Sequence, residues 1–131
     1  MLALVAQEDA VTTNNIKTIL TMCLSECDVL VTPSGAGCLR LLKDNKPDVV
    51  ILDSKLDDAN GFDILGKIRG DYHGPVLMLV CSTGDAIKDE FQTVQAIEMG
   101  ADYCIKKPFR QLEFIARIRA LTRQKRESTG R

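Results

Sequence analysis

Five short apolar runs of strand length alternate with longer stretches of helical period, and few folds can absorb that rhythm. The runs are Leu2 to Ala6, Asp28 to Thr32, Val49 to Leu52, Val76 to Cys81 and Tyr103 to Ile105. Most lack polar alternation, so their strands should be buried on both faces, as in a parallel sheet. Between them the spacing predicts helices over about Thr13 to Ser25, Gly37 to Asp44, Gly61 to Arg69, Ala86 to Met99 and Gln111 to Thr122. Ile16, Ile19, Leu20, Cys23 and Leu24 stripe the first of these, and Leu112, Ile115, Ile118 and Leu121 the last. Right-handed crossovers place helices on both faces. The expected fold class is α/β: a single doubly wound five-stranded parallel sheet, a (βα)5 three-layer sandwich.

With 131 residues there is room for one domain and none for a two-domain enzyme. A hydrophobic content of 45% fills one core, and a net charge of -1 draws the chain to neither nucleic acid nor anionic lipid. No apolar run approaches the roughly 20 residues of a membrane-spanning helix. Met1 to Ala6 lacks a basic flank and runs into Gln7-Glu8-Asp9, so it does not read as a signal peptide, and a cytoplasmic location is expected. The five cysteines are odd in number and sit mostly in apolar patterns, as reduced, buried thiols do. The domain is expected over residues 1–122. Residues 123–131 are polar and without apolar period, a tail or interdomain linker whose Arg123, Lys125 and Arg126 are interrupted by Glu127.

In a doubly wound sheet, ligands bind beyond the carboxyl ends of the strands. Those ends carry Glu8-Asp9, Asp53, the stretch Val80 to Thr83, and Lys106-Lys107-Pro108. Clustered carboxylates repel one another unless a cation compensates them. Magnesium suits, since it takes oxygen ligands and bridges one or two carboxylates to a phosphoryl group. A lysine supplies a point charge for a phosphoryl oxygen, and aspartate carboxylates do form acyl phosphates, so Asp53 is a candidate nucleophile toward phosphorus. Other features read more simply. His73 has no nucleophile beside it. Cys23 and Cys27 lack the further ligands a metal site needs and read as core thiols. Gly35-Ala36-Gly37 has Arg40 where a dinucleotide loop wants glycine.

Pro47-Asp48-Val49-Val50-Ile51-Leu52-Asp53, then Leu56 and Asn60-Gly61-Phe62, resembles the phosphoacceptor strand and following loop of response regulator receiver domains, the CheY-like superfamily of flavodoxin-like fold. Gly100-Ala101-Asp102 with Lys107-Pro108-Phe109 resembles their last strand and its lysine. The resemblance covers about residues 1 to 122. It implies Asp53 as phosphoacceptor, and Glu8 and Asp9 as an acidic pair holding Mg2+ with Asp53 and the backbone carbonyl of Lys55. It further implies Lys107 on the phosphoryl group, a cis Lys107-Pro108 bond, and a histidine kinase or phosphotransfer protein as donor.

Several positions depart from the family pattern. Glu8 and Asn60 stand where aspartate is usual. The strand-4 hydroxyl falls on Val80, leaving Ser82 and Thr83 to replace it if the strand runs longer, and the switch aromatic falls on Cys104. Lys55 is placed to take part of the metal's electrostatic role. The function expected is a signalling module rather than an enzyme, with limited self-phosphorylation and autophosphatase activity. The alternative is a degenerate receiver that signals by protein contacts alone. An aspartate-nucleophile phosphatase would want a second aspartate at position 55, and a flavin binder would want more aromatic residues. Ile115 to Leu121 and the basic residues after it resemble receivers joined to DNA-binding domains. That implies an output domain outside this chain, and a homodimer through the fourth helix, fifth strand and fifth helix.

Overall fold

The computed structural model describes residues 1–129, with side chains described through Arg123. Five strands, β1 (Leu2–Ala6), β2 (Asp28–Thr32), β3 (Val49–Asp53), β4 (Val76–Cys81) and β5 (Tyr103–Lys107), form one parallel sheet in the order β2-β1-β3-β4-β5. The chain reverses its direction of travel across the sheet between β1 and β3, and that switch point opens the crevice in which such sheets bind ligands. β1, β3 and β4 are buried on both faces up to the rim, as their unbroken apolar runs predict, whereas the edge strands β2 and β5 are only partly covered.

Helices α1 (Ala10–Cys23) and α5 (Gln111–Thr129) cover one face, where Ile16, Leu20, Phe114 and Ile118 pack on Val5, Ile51, Leu77 and Leu79. Helices α2 (Gly35–Asp44), α3 (Gly61–Ile68) and α4 (Ala86–Glu98) cover the other, where Phe62, Leu65, Ile68 and Ala96 pack on Leu4, Leu52, Met78 and Val80. The helix starts reflect local chemistry that apolar periodicity does not reveal. Asp9 caps α1 by accepting the Thr12 N–H at 2.9 Å, so the helix begins three residues before Thr13. Ser34 caps α2 at Gly37, and Asp58 accepts the N–H groups of Gly35 and Ala36 at 2.7 and 3.2 Å, tying the loop after β3 to that helix.

Two expectations change. α5 continues to Thr129, so the expected tail is helical from residue 123 through residue 129, while its last residues, 130 and 131, lie outside the described residues. The end of the apolar period at Leu121 therefore does not mark the end of the helix. The five cysteines are unbridged, but only Cys38 is buried: Cys23, the last residue of α1, and Cys81, at the rim of β4, are exposed, and Cys27 and Cys104 are half-buried. Among the described residues no helix is long and apolar enough to cross a membrane.

Phe114 is fully buried, with its ring stacked on Phe109 at 4.9 Å. Phe114→Ala should cost about 3–5 kcal/mol in urea unfolding, through lost transfer energy and a residual cavity. The helix caps make a second expectation. Asp9 is held below the usual carboxylate pKa by the Thr12 hydroxyl and N–H, and Asp58 by the Gly35 and Ala36 N–H groups. Carboxyls depressed in the fold add stability that is complete above the unfolded value of about 3.9 and is lost as pH falls through the lower folded values. Thermal midpoints should therefore be flat from about pH 7 to 5 and fall below about pH 4, with a shallower fall in Asp58→Asn.

Candidate functional site

Strand register assembles the crevice. Ala6 pairs with Leu52, which carries the next residue of each strand, Gln7 and Asp53, to the same depth. Leu79 pairs with Asp53 and Cys81 with Lys107, bringing the lysine in across β4. Asp53 is 0% exposed. A carboxylate at that depth needs full compensation. Its Oδ2 accepts the Gln7 side-chain amide and pairs with the Lys107 ammonium, and its Oδ1 accepts the Lys55 N–H at 2.9 Å. Burial alone would lower the Lys107 pKa, yet the hydrogen bond and charge of Asp53 outweigh it and hold the ammonium above the ordinary lysine value, with the Cys81 sulfur adding to the effect. The Lys107-Pro108 bond is cis, as the resemblance implied. Asn60 caps α3 at Phe62, and a Cβ on the next residue, Gly61, would lie 2.0 Å from the Asp53 carbonyl oxygen. Only glycine lets α3 start so close to the end of β3.

The acidic pair is not arranged as expected. Asp9 is exposed and its carboxylate is committed to Thr12, taking the N–H at 2.9 Å and the hydroxyl at 2.6 Å. Glu8 pairs with the Lys55 ammonium at 3.6 Å. The place against Asp53 belongs to Gln7, 3% exposed, whose Oε1 accepts the Asp9 N–H at 3.0 Å. Sequence reasoning passed over Gln7 because a neutral amide gives no charge signal; the register of β1 against β3 is what points to it. Among the described residues no three carboxylate, thiol or imidazole groups gather within reach of one ion, so the expected cluster of Glu8, Asp9 and Asp53 does not form. The donors that fit a magnesium ion are the carboxylates of Glu8 and Asp53 with the Lys55 carbonyl, an all-oxygen set with two charges.

At the end of β4, Val80 is buried in the core under α3 and α4 and offers no hydroxyl. The strand stops at Cys81, so it does not extend to carry Ser82 or Thr83 toward Asp53. Instead Ser82 Oγ donates to Asp89 Oδ2 at 2.8 Å, and the Thr83 N–H and Oγ1 both donate to Asp89 Oδ1 at 2.8 Å. The Thr83 N–H and then the two hydroxyls hold the Asp89 carboxyl below the usual range. Both hydroxyls expected at the phosphoryl position are thus bound, from the loop before α4, to Asp89 in its first turn. Cys104 packs half-buried toward the α4 side, its thiol pushed up by burial, and Tyr103 faces α5 with the Arg117 guanidinium 4.1 Å from its ring centre. His73 is exposed, as expected.

The family model described as response regulator receiver domain matches residues 3–119. The transcriptional regulatory protein KdpE of Mycobacterium tuberculosis is 44% identical over 96 residues, which are 73% of this chain and 40% of KdpE. The DNA-binding response regulator MtrA of Mycobacterium leprae is 36% identical over 97 residues, 74% of this chain and 41% of MtrA. The chain thus spans about two fifths of these relatives. The BeF3-activated receiver domain of Klebsiella pneumoniae RstA superposes with a TM-score of 0.83 at 26% identity, covering 94% of this chain and 99% of that one. The receiver domain of the Francisella response regulator 1452 does so with a TM-score of 0.83 at 25% identity, covering 95% and 98%. These likenesses give no support to the degenerate-receiver alternative. On the matched residues and the doubly wound fold, the chain belongs to the response regulator receiver domain family.

Proposed function

We propose that this receiver accepts a phosphoryl group on Asp53 from the phosphohistidine of a histidine kinase or phosphotransfer protein. The observation that carries the reading is a fully buried carboxylate at the switch point, compensated by an ammonium from a different strand. That pairing sets a positive charge beside the Asp53 carboxylate at the crevice. In the transfer a carboxylate oxygen forms the new O–P bond, the N–P bond of the donor breaks, and the leaving imidazole takes up a proton. Lys107 then follows the developing charge from the carboxylate to a phosphoryl oxygen. Magnesium held by Glu8, Asp53 and the Lys55 carbonyl would supply further positive charge to the phosphoryl oxygens.

The chain works on this reading as a cytoplasmic signalling module, with slow self-phosphorylation and autophosphatase activity as its own chemistry. Ile87, Phe91 and Leu112 are large apolar side chains exposed on α4 and α5. They support a homodimer through α4, β5 and α5 in the phosphorylated state. The relatives KdpE and MtrA, a transcriptional and a DNA-binding regulator, support a DNA-binding output domain outside this chain.

Intact mass after incubation with acetyl phosphate should show one phosphoryl adduct that requires Mg2+ and is absent from Asp53→Ala. Lys107→Met should slow its formation by roughly tenfold to a hundredfold, through loss of charge stabilisation. No adduct at saturating donor and Mg2+ would overturn the assignment.

A further inference from the structure

Glu8 and Asp53, the two carboxylates read as metal ligands, each already have an ammonium. Lys107 sits on Asp53, and Lys55 Nζ lies 3.6 Å from Glu8 Oε1. The charges of these four side chains therefore sum to zero with no other ion. Gln7 completes the balance. Its Oε1 is held by the Asp9 N–H, which turns the NH2 end toward Asp53, where it donates. A glutamate of the same shape would press a second carboxylate against a buried one and make a cation necessary; glutamine makes none necessary. The two ammonium groups differ in exposure. The Lys107 side chain is 18% exposed, while that of Lys55 is 76% exposed, against 29% for Glu8. An exposed pair of this kind is weak and exchanges readily.

We propose that Lys55 and Gln7 set the cation requirement of this receiver: Lys55 is the resident counter-ion of Glu8, and a divalent cation enters by displacing it. The inference rests on the reading that Glu8 and Asp53 hold Mg2+. It follows that the unphosphorylated domain binds Mg2+ weakly, because the ion must compete with Lys55 and meets a neutral amide at Gln7. A phosphoryl group on Asp53 exchanges the single charge of the carboxylate for the nearly double charge of an acyl phosphate, a gain of about one negative charge that tips the competition toward the cation. Cation and phosphoryl group then favour one another reciprocally.

The test is Mg2+ titration of the whole chain, followed by amide chemical shifts and by thermal midpoint, with no phosphodonor present. Lys55→Met should bind Mg2+ roughly three- to tenfold more tightly than wild type, since it removes a positive charge from beside the ion. In the Glu8→Gln background the same substitution should change nothing. Gln7→Glu should melt below wild type without metal and recover with Mg2+, while the wild-type midpoint moves less. Equal Mg2+ affinity in wild type and Lys55→Met overturns the competition and leaves the metal reading standing. A Gln7→Glu protein that melts like wild type and gains nothing from Mg2+ overturns the role of Gln7. No Mg2+ effect on any variant overturns this inference and the metal reading together.

Discussion

A carboxylate with no solvent exposure is the constraint around which the rest of this domain is arranged. Asp53 ends a strand buried along its whole length, so water cannot hydrate its charge and the fold must do so instead. Three chain segments meet that demand: the end of β1 through Gln7, the loop after β3 through the Lys55 N–H, and the end of β5 through Lys107. They come together only because a parallel sheet places all carboxyl ends of its strands on one side. The parallel topology is therefore a condition of the chemistry as well as of the packing.

The same crowding explains the glycine that flanks the crevice. Gly61 lets α3 begin against the Asp53 carbonyl oxygen, and the cis Lys107-Pro108 bond follows directly on the lysine that pairs with Asp53. Away from the crevice, the core is ordinary close packing of two layers of helices on the sheet, with Phe114 and Leu65 among its fully buried side chains. Stability and chemistry are thus separated in space. The core holds the strands in register, and register alone sets which side chains face one another at the rim.

That separation accounts for what was legible in the sequence. Strand cores, sheet class, Asp53 and Lys107 all follow from apolar runs and from charged residues placed at their ends, signals that survive in one dimension. Helix ends were less legible, because Asp9 and Asp58 act through backbone hydrogen bonds that periodicity does not register. Asp9 looked like a metal ligand for the same reason: a carboxylate after a strand serves equally well as a helix cap, and only the geometry shows that Thr12 has it. Ser82 and Thr83 were candidates for the phosphoryl group by proximity in sequence, and lost that place to Asp89, seven and six positions on. Gln7 was invisible because it carries no charge, though its lack of charge is what matters.

Both positions through which the family couples phosphorylation to a surface change are altered here in the same sense. Val80 fills core volume where a hydroxyl is usual, and Cys104 is a small half-buried thiol where an aromatic ring is usual. Val80 has no hydroxyl to donate to a phosphoryl group, and Cys104 has no ring to rotate. What the crevice carries instead is paired charge, the exposed Lys55–Glu8 pair and the less exposed Lys107–Asp53 pair. Beyond it lies the short network of Ser82, Thr83 and Asp89, which joins the end of β4 to the first turn of α4. The Lys107 carbonyl accepts the Ser82 N–H at 3.3 Å, which ties the end of β5 to the same loop through the backbone. Hydrogen bonds thus join the end of β5 to the loop that leads into α4, where the family pattern has a paired hydroxyl and ring.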